Sequence, residues 1–113
     1  MYLLQIYSTT ATDAYDALSQ EEKDALTSEY MAIGRTPGIA GGNQLQPPET
    51  ATTVRVQDGR TLTTDGPFAE TKEAVGGYFL YEADDLDAAI ELAARIPAAR
   101  MGGAVEVRPV VER

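Results

Sequence analysis

The chain contains no cysteine and no histidine. The first absence rules out disulfides, thiolate metal sites and a cysteine nucleophile. The second removes Ser–His catalysis, imidazole metal ligation and a proton shuttle tuned near neutrality. A metal would find only carboxylate and carbonyl oxygens, a donor set that suits magnesium or calcium rather than zinc. No metal site and no cofactor is expected. Positive charge is also scarce: nine Lys and Arg stand against eighteen Asp and Glu, a net charge of −9 with no basic cluster. Nucleic acid is therefore not an expected partner, because phosphate neutralisation supplies most of that affinity. No apolar run reaches the roughly 20 residues that a membrane helix needs. Met1 to Tyr7 is too short, and lacks the basic flank, to read as a signal peptide. The expectation is a cytoplasmic protein with no membrane partner.

What is present is enough for one self-sufficient core. A chain of 113 residues and 12.1 kDa is a single domain, 1–113. Area scaling gives it a folded surface of roughly 6,000 Å² against about 17,500 Å² unfolded, so about two-thirds of its surface is buried. With 43% hydrophobic and 24% charged residues it has the composition of an ordinary soluble globule.

Tyr2 to Tyr7 reads as a strand, apolar on both faces apart from Gln5. A threonine-rich connection follows, and Asp13 starts a short helical turn through Leu18. Ser19-x-x-Glu22 has the form of a capping box and opens the first firm helix, with Ala25, Leu26, Tyr30 and Ile33 at helical spacing. Gly34 and Thr36-Pro37-Gly38 end it. Ile39 to Leu45 is a second strand interrupted by Gly41-Gly42, which points to a bulge or an edge position. Thr52 to Val56, the Asp58-Gly59 turn and Thr61 to Thr63 make a hairpin. Gly77 to Tyr81 is another strand apolar on both sides, Asp84 or Asp85 caps a second helix, and Val105 to Arg108 alternates as the last strand. The second helix carries an apolar stripe of Leu86, Ala89, Ile90, Ala93 and Ile96, and Pro97 stops it.

With the hairpin set aside, the order is β-α-β-β-α-β, the ferredoxin-like arrangement of four antiparallel strands under two helices. Its first and third strands are the central pair, and those are the two that are apolar on both faces here. Two helices cover one face of the sheet only. The other is left apolar and open, and a second copy of the chain is the economical cover. A homodimer with sheets face to face is expected.

The stretch densest in chemistry runs from Thr64-Asp65-Gly66-Pro67-Phe68-Ala69-Glu70-Thr71-Lys72-Glu73 to Gly76-Gly77. Gly66 tolerates positive φ and Pro67 fixes φ and removes a donor, so the chain turns here. One reading is a rigid connector, in which Asp65 closes the turn, Phe68 fills an apolar hole and Lys72 pairs with neighbouring carboxylates. The functional reading lines a cleft with Asp65, Phe68, Glu70, Lys72 and Arg55, since loops placed by a rigid scaffold commonly carry binding groups. Arg55 and Arg108 suit a carboxylate-bearing ligand, although pairing with a glutamate such as Glu106 or Glu73 is the commoner fate. Tyr7, Tyr78 and Tyr81 offer phenol donors or stacking surface, against an ordinary packing role. Asp84, Asp85 and Asp87 sit where a helix N-terminus favours acids, so capping explains them without a metal.

Asp65 to Glu73, Gly76-Gly77-Tyr78, Asp85-Leu86-Asp87-Ala88-Ala89 and Glu106-Val107-Arg108-Pro109 together resemble the YCII-related proteins, specifically their DGPF-domain branch. The resemblance covers essentially the whole chain. It implies a dimeric α+β barrel of ferredoxin-like units and a bacterial cytoplasmic origin, in a branch often encoded beside extracytoplasmic-function sigma factors. Some relatives, a dehydrochlorinase among them, are lyase-like enzymes built on a histidine–aspartate pair. That pair is not carried over: this chain has no histidine, and the residue before Pro97 is Ile96. The first helix also breaks at Gly34-Arg35-Thr36-Pro37, where the family runs on. The leading expectation is a homodimer that binds a small molecule in a cleft beside the DGPF loop, with no assigned reaction. A second is a lyase or isomerase with Asp65 or Glu70 as base and a tyrosine or Lys72 as acid. A third is an accessory protein that binds a sigma factor.

Overall fold

Strand β1 (Tyr2–Thr9) sends Leu4 and Ile6 to one face and Leu3, Gln5 and Tyr7 to the other, the period-two alternation that decides the architecture. The computed structural model describes residues 1–9, 17–67 and 73–113. Most of the turn expected from Asp13 to Leu18 lies outside them. Helix α1 (Gln20–Gly34) opens as its sequence predicts. The Glu22 amide donates to Ser19 Oγ, and the Ser19 amide donates to Glu22 Oε1, both at 3.1 Å. These bonds satisfy two amides that would otherwise lack partners in the first turn.

Strand β2 (Ile39–Gln44) is an edge strand whose register slips between Ile39 and Gly41, as the paired glycines suggest. The hairpin of β3 (Thr52–Gln57) and β4 (Arg60–Asp65) turns through Asp58 and Gly59, at φ 51° and 74°. Positive φ at both central residues is the tight turn that matches strand twist. Gly66, at φ 96°, ends β4, and its amide donates to the Ala51 carbonyl at 2.7 Å. Thr53 Oγ1 donates to the Gly66 carbonyl at 2.8 Å, which ties off the hairpin's base.

Strand β5 (Glu73–Tyr81) begins earlier than the Gly77 expected, because β1 runs on to Thr9 and pairs it with Glu73. The extra length is absorbed by a bulge: Ile6 faces Gly77 and Tyr7 faces Val75, which leaves Gly76 over. Helix α2 (Leu86–Arg95) is capped by Asp85, whose Oδ1 accepts from the Ala88 amide at 2.8 Å. The apolar stripe differs from the expected one. Ala89, Leu92, Ala93 and Ile96 are buried, whereas Leu86 and Ile90 are 48% and 49% exposed. At about 100° per residue, Leu92 and Ile96 pull the buried face away from Ile90. Strand β6 (Ala104–Pro109) follows a short 3₁₀ turn at Pro97–Arg100.

The main sheet has the order β2-β5-β1-β6 with every neighbouring pair antiparallel, so the two strands expected at the centre are there. The hairpin stands as a separate two-stranded sheet. The result is a mixed α+β fold compatible with the ferredoxin-like order. Leu4, Ile6, Ile33, Leu92, Ile96 and Ala98 form the core, flanked on the sheet by Tyr2, Ile39, Phe79, Tyr81, Val105 and Val107. All the strand residues in that set lie on the Leu4 face, so both helices cover the same side.

Leu4 and Ile96 are fully buried. Leu4→Ala is expected to destabilise the fold by about 2–5 kcal/mol, through lost transfer energy and a cavity that the sheet cannot close. Val111→Ala, at a residue 70% exposed, is expected to stay within about 0.5 kcal/mol. Urea unfolding of the two variants beside the parent chain measures the contrast.

Candidate functional site

A groove of about 390 Å³ opens between α1 and the main sheet. Leu26, Thr27, Tyr30 and Met31 form its helical wall, one side of α1 at i, i+4 spacing. Its sheet wall comes from Ile6 and Ser8 on β1, Gly42 to Gln44 on β2 and Gly76 to Phe79 on β5. The cavity is there because glycines occupy sheet positions where side chains would otherwise fill the space under the helix. Gly42, Gly76 and Gly77 all line it.

Two of those glycines are also dictated by the backbone. A Cβ on Gly42 would stand 2.6 Å from both Phe79 Cδ1 and the Tyr78 carbonyl oxygen. One on Gly77 would stand 2.9 Å from the Asn43 carbonyl oxygen. At Gly41, next along β2, an added Cβ meets nothing within 4 Å.

The lining is polar without being charged. Ser8, Thr27, Tyr30 and Gln44 carry the hydrogen-bonding side chains, whereas Asn43 and Tyr78, in register with Gln5, border the groove by their backbone with their side chains on the other face of the sheet. Among the described lining residues none is an acid or a base in its ionised form. Thr27 Oγ1 donates to the Lys23 carbonyl at 3.1 Å, and on the other face of the sheet Asn43 Nδ2 donates to Tyr78 Oη at 3.2 Å. The Tyr30 phenol is held above its ordinary value of 10.0, chiefly by burial and secondarily by Glu29. The Ala98 backbone and the Arg100 guanidinium act in the opposite direction. Tyr30 therefore stays a neutral phenol through the physiological range. Beside it, Arg100 Nη2 reaches both Glu29 carboxylate oxygens at 2.8 Å, linking the turn after α2 to α1. That pair is half exposed, so it positions more than it stabilises.

The residues singled out in the sequence fall in three places. Tyr78 borders the groove by its backbone, while its side chain lies in register with Gln5 on the face away from the helices. Tyr7 and Arg108 lie on the sheet face away from the helices, where Arg108 Nη2 donates to Glu106 Oε1 at 2.7 Å. Of the two fates weighed for Arg108, it takes the glutamate pair. Arg55 and Asp65 lie on the exposed hairpin, and its unbroken register puts them on opposite faces, Arg55 across from Leu62 and Asp65 across from Thr52. Phe68, Glu70 and Lys72 lie outside the described residues. Sequence reasoning missed Thr27 and Gln44, since isolated polar residues on a helix and an edge strand carry no motif. The signal that was legible is the glycine pattern at 41–42 and 76–77, read as turn and bulge material rather than as the floor of a cavity.

Residues 6–113 match the family model described as the YCII-related domain. The chain is also 30% identical, over 116 aligned positions, to an uncharacterized protein of Rhizobium meliloti (strain 1021), a match covering 97% of this chain and 91% of that one.

Gly42→Ala is expected to cost about 1–3 kcal/mol by overpacking against Phe79 and the Tyr78 carbonyl. Gly41→Ala is the matched control, expected to leave the melting temperature unchanged or slightly raised. Differential scanning calorimetry of the two variants reads the difference. For Tyr30, a folded pKa above the unfolded value means stability that is intact below about pH 10 and lost as pH climbs through the folded pKa. In Tyr30→Phe that alkaline loss should shrink, as seen in urea midpoints measured from pH 8 to 11.

Proposed function

This chain belongs to the YCII-related family, and we propose that it is a homodimer whose groove under α1 holds an uncharged small molecule that is part apolar, part hydrogen-bonding. The single observation behind this reading is the lining. In a chain of net charge −9, the described residues around the groove are all neutral, with Ile6, Leu26, Met31 and Phe79 interleaved with hydroxyls and amides. Apolar walls with a few placed polar groups are what small-molecule sites generally look like. Gly76 and Gly77, which follow the Asp65–Glu73 segment in sequence, line the groove, and this supports reading the cleft as neighbouring that segment. Asp65-Gly66-Pro67-Phe68 supports placing the chain in the DGPF branch.

Self-association follows from the bare sheet face. Leu3 pairs across the strands with Leu80, and Gln5 with Tyr78, on the side that neither helix covers. Acid–base catalysis by carboxylates draws less support, because among the described lining side chains the groups able to move a proton are the Tyr30 phenol and the Ser8 and Thr27 hydroxyls. The cytoplasm is the compartment we favour, and among the described residues no helix is long and apolar enough to cross a membrane.

The test is a thermal-shift panel of neutral aromatics, alcohols and amides beside small carboxylic acids. At least one neutral compound is expected to raise the melting temperature, and Thr27→Trp, which fills the groove from α1, is expected to abolish the shift with the circular dichroism unchanged. A shift that survives Thr27→Trp and disappears in Asp65→Asn would move the site to the hairpin end. No shift from any compound would sink the binding reading. Sedimentation equilibrium should separately return twice the 12.1 kDa chain mass.

A further inference from the structure

The β3–β4 hairpin is not accounted for by anything above. Every residue from Thr52 to Gln57 and from Arg60 to Asp65 is exposed except Thr53. Val54 and Val56 are 58% and 68% exposed, and the register puts both on one face with Thr61 and Thr63. That face has β-branched residues only, except for Asp65 at its base. A two-stranded hairpin with no third layer is at best marginally stable in water. Seven of its twelve strand residues are Thr or Val, and it presents its apolar side to solvent.

The dimensions of the chain show the same imbalance. Its accessible surface is 8118 Å², against roughly 6,000 Å² for a compact chain of this mass. Its radius of gyration is 16.0 Å, against about 13 Å for a compact domain of this length. An excess on the order of 2,000 Å² exceeds the roughly 800 Å² that a standard interface buries per partner. The bare face of the main sheet does not account for it alone. Four strands at about 4.8 Å spacing and some six residues of length present roughly 400 Å² in projection. The hairpin, extending beyond that sheet, is the next exposed surface of the right kind.

Charge decides what can cover it. Residues 52–65 carry Arg55, Arg60, Asp58 and Asp65, so the hairpin is neutral within a chain of net −9. On the bare sheet face Glu106 and Arg108 pair with each other, so their charges cancel. These are the surfaces that can approach an equally acidic twin without repulsion. We propose that the hairpin is an arm that embraces a second copy of this chain, seating Val54 and Val56 against it beside the bare sheet face. The arm rests on the homodimer proposed above, and supplies the contact area that the sheet face lacks.

The experiment pairs two measurements on the full chain. In Val54→Thr/Val56→Thr, two shape-conserving changes at exposed positions with good strand preference, the folded protomer is expected to keep its circular dichroism. Its dimer dissociation constant should rise about tenfold or more by sedimentation equilibrium. Hydrogen exchange should show amides of residues 52–65 gaining protection as concentration passes from below the dissociation constant to above it. A parent chain that is monomeric throughout would overturn both the dimer and the arm. A dimer of unchanged affinity in the double variant, with hairpin amides unprotected, would overturn the arm alone. Protection of the hairpin that does not depend on concentration would show it packed on its own protomer, and would overturn the arm equally.

Discussion

One constraint orders this molecule: two helices can cover only one side of an antiparallel sheet. Leu4 and Ile6 meet Ile33, Leu92 and Ile96 because α1 and α2 lie on the same face. By the pleat alone, Leu3 and Leu80 must then face the other way. A one-residue slip in β1 would exchange the two sets, so the register that builds the core also creates the bare face. The remaining features, namely which residues line the groove, where the hairpin departs and which surfaces are neutral, are consequences of that choice.

The groove is the same constraint seen from the covered side. A helix packed on a sheet is normally separated from it by interdigitated side chains at near-crystalline density. Gly42, Gly76 and Gly77 remove those side chains under the middle of α1, and crowding against Phe79 and the Tyr78 and Asn43 carbonyls keeps larger residues out of two of the three positions. The cavity is thus enforced by the backbone rather than by a gap in the packing. Among the described lining side chains the polar groups are the Tyr30 phenol, the Ser8 and Thr27 hydroxyls and the Gln44 amide.

Local signals were the most legible part of the sequence. The capping box at Ser19 and Glu22, the Asp58-Gly59 turn and the strands apolar on both faces are each set by neighbours within a few residues, and the fold places all three as read. The α2 stripe was misjudged because composition alone cannot tell a buried Leu92 from an exposed Ile90. Their difference is the rotation of the helix, which Ile96 and the sheet decide. The site was less legible still. Arg55 and Asp65 are close in sequence terms across a hairpin, yet strand parity separates them. Thr27 and Gln44 on two successive elements meet Gly76 and Gly77, some thirty or more residues further on, only once α1 lies across β2 and β5. Proximity of that kind is a property of topology, and no short motif encodes it.

A net charge of −9 looks at first like an argument against self-association, since two copies repel. Where the acids sit answers it. Glu21, Glu22, Asp24 and Glu29 belong to α1 or its first turn, and Asp84, Asp85, Asp87 and Glu91 to α2 and its cap. All of these are exposed and lie in the helical layer, on the far side of the sheet from its bare face. Two sheets packed face to face stand about 10 Å apart, and a helix with its side chains adds about 10 Å on each outer side. The two acidic layers of such a pair are therefore on the order of 30 Å apart, several times the roughly 8 Å over which charge is felt at physiological salt. In the dimer proposed above, the charge of the helical layers would be screened out over that distance, and the charge on these helices is no obstacle to contact through the sheet face and hairpin.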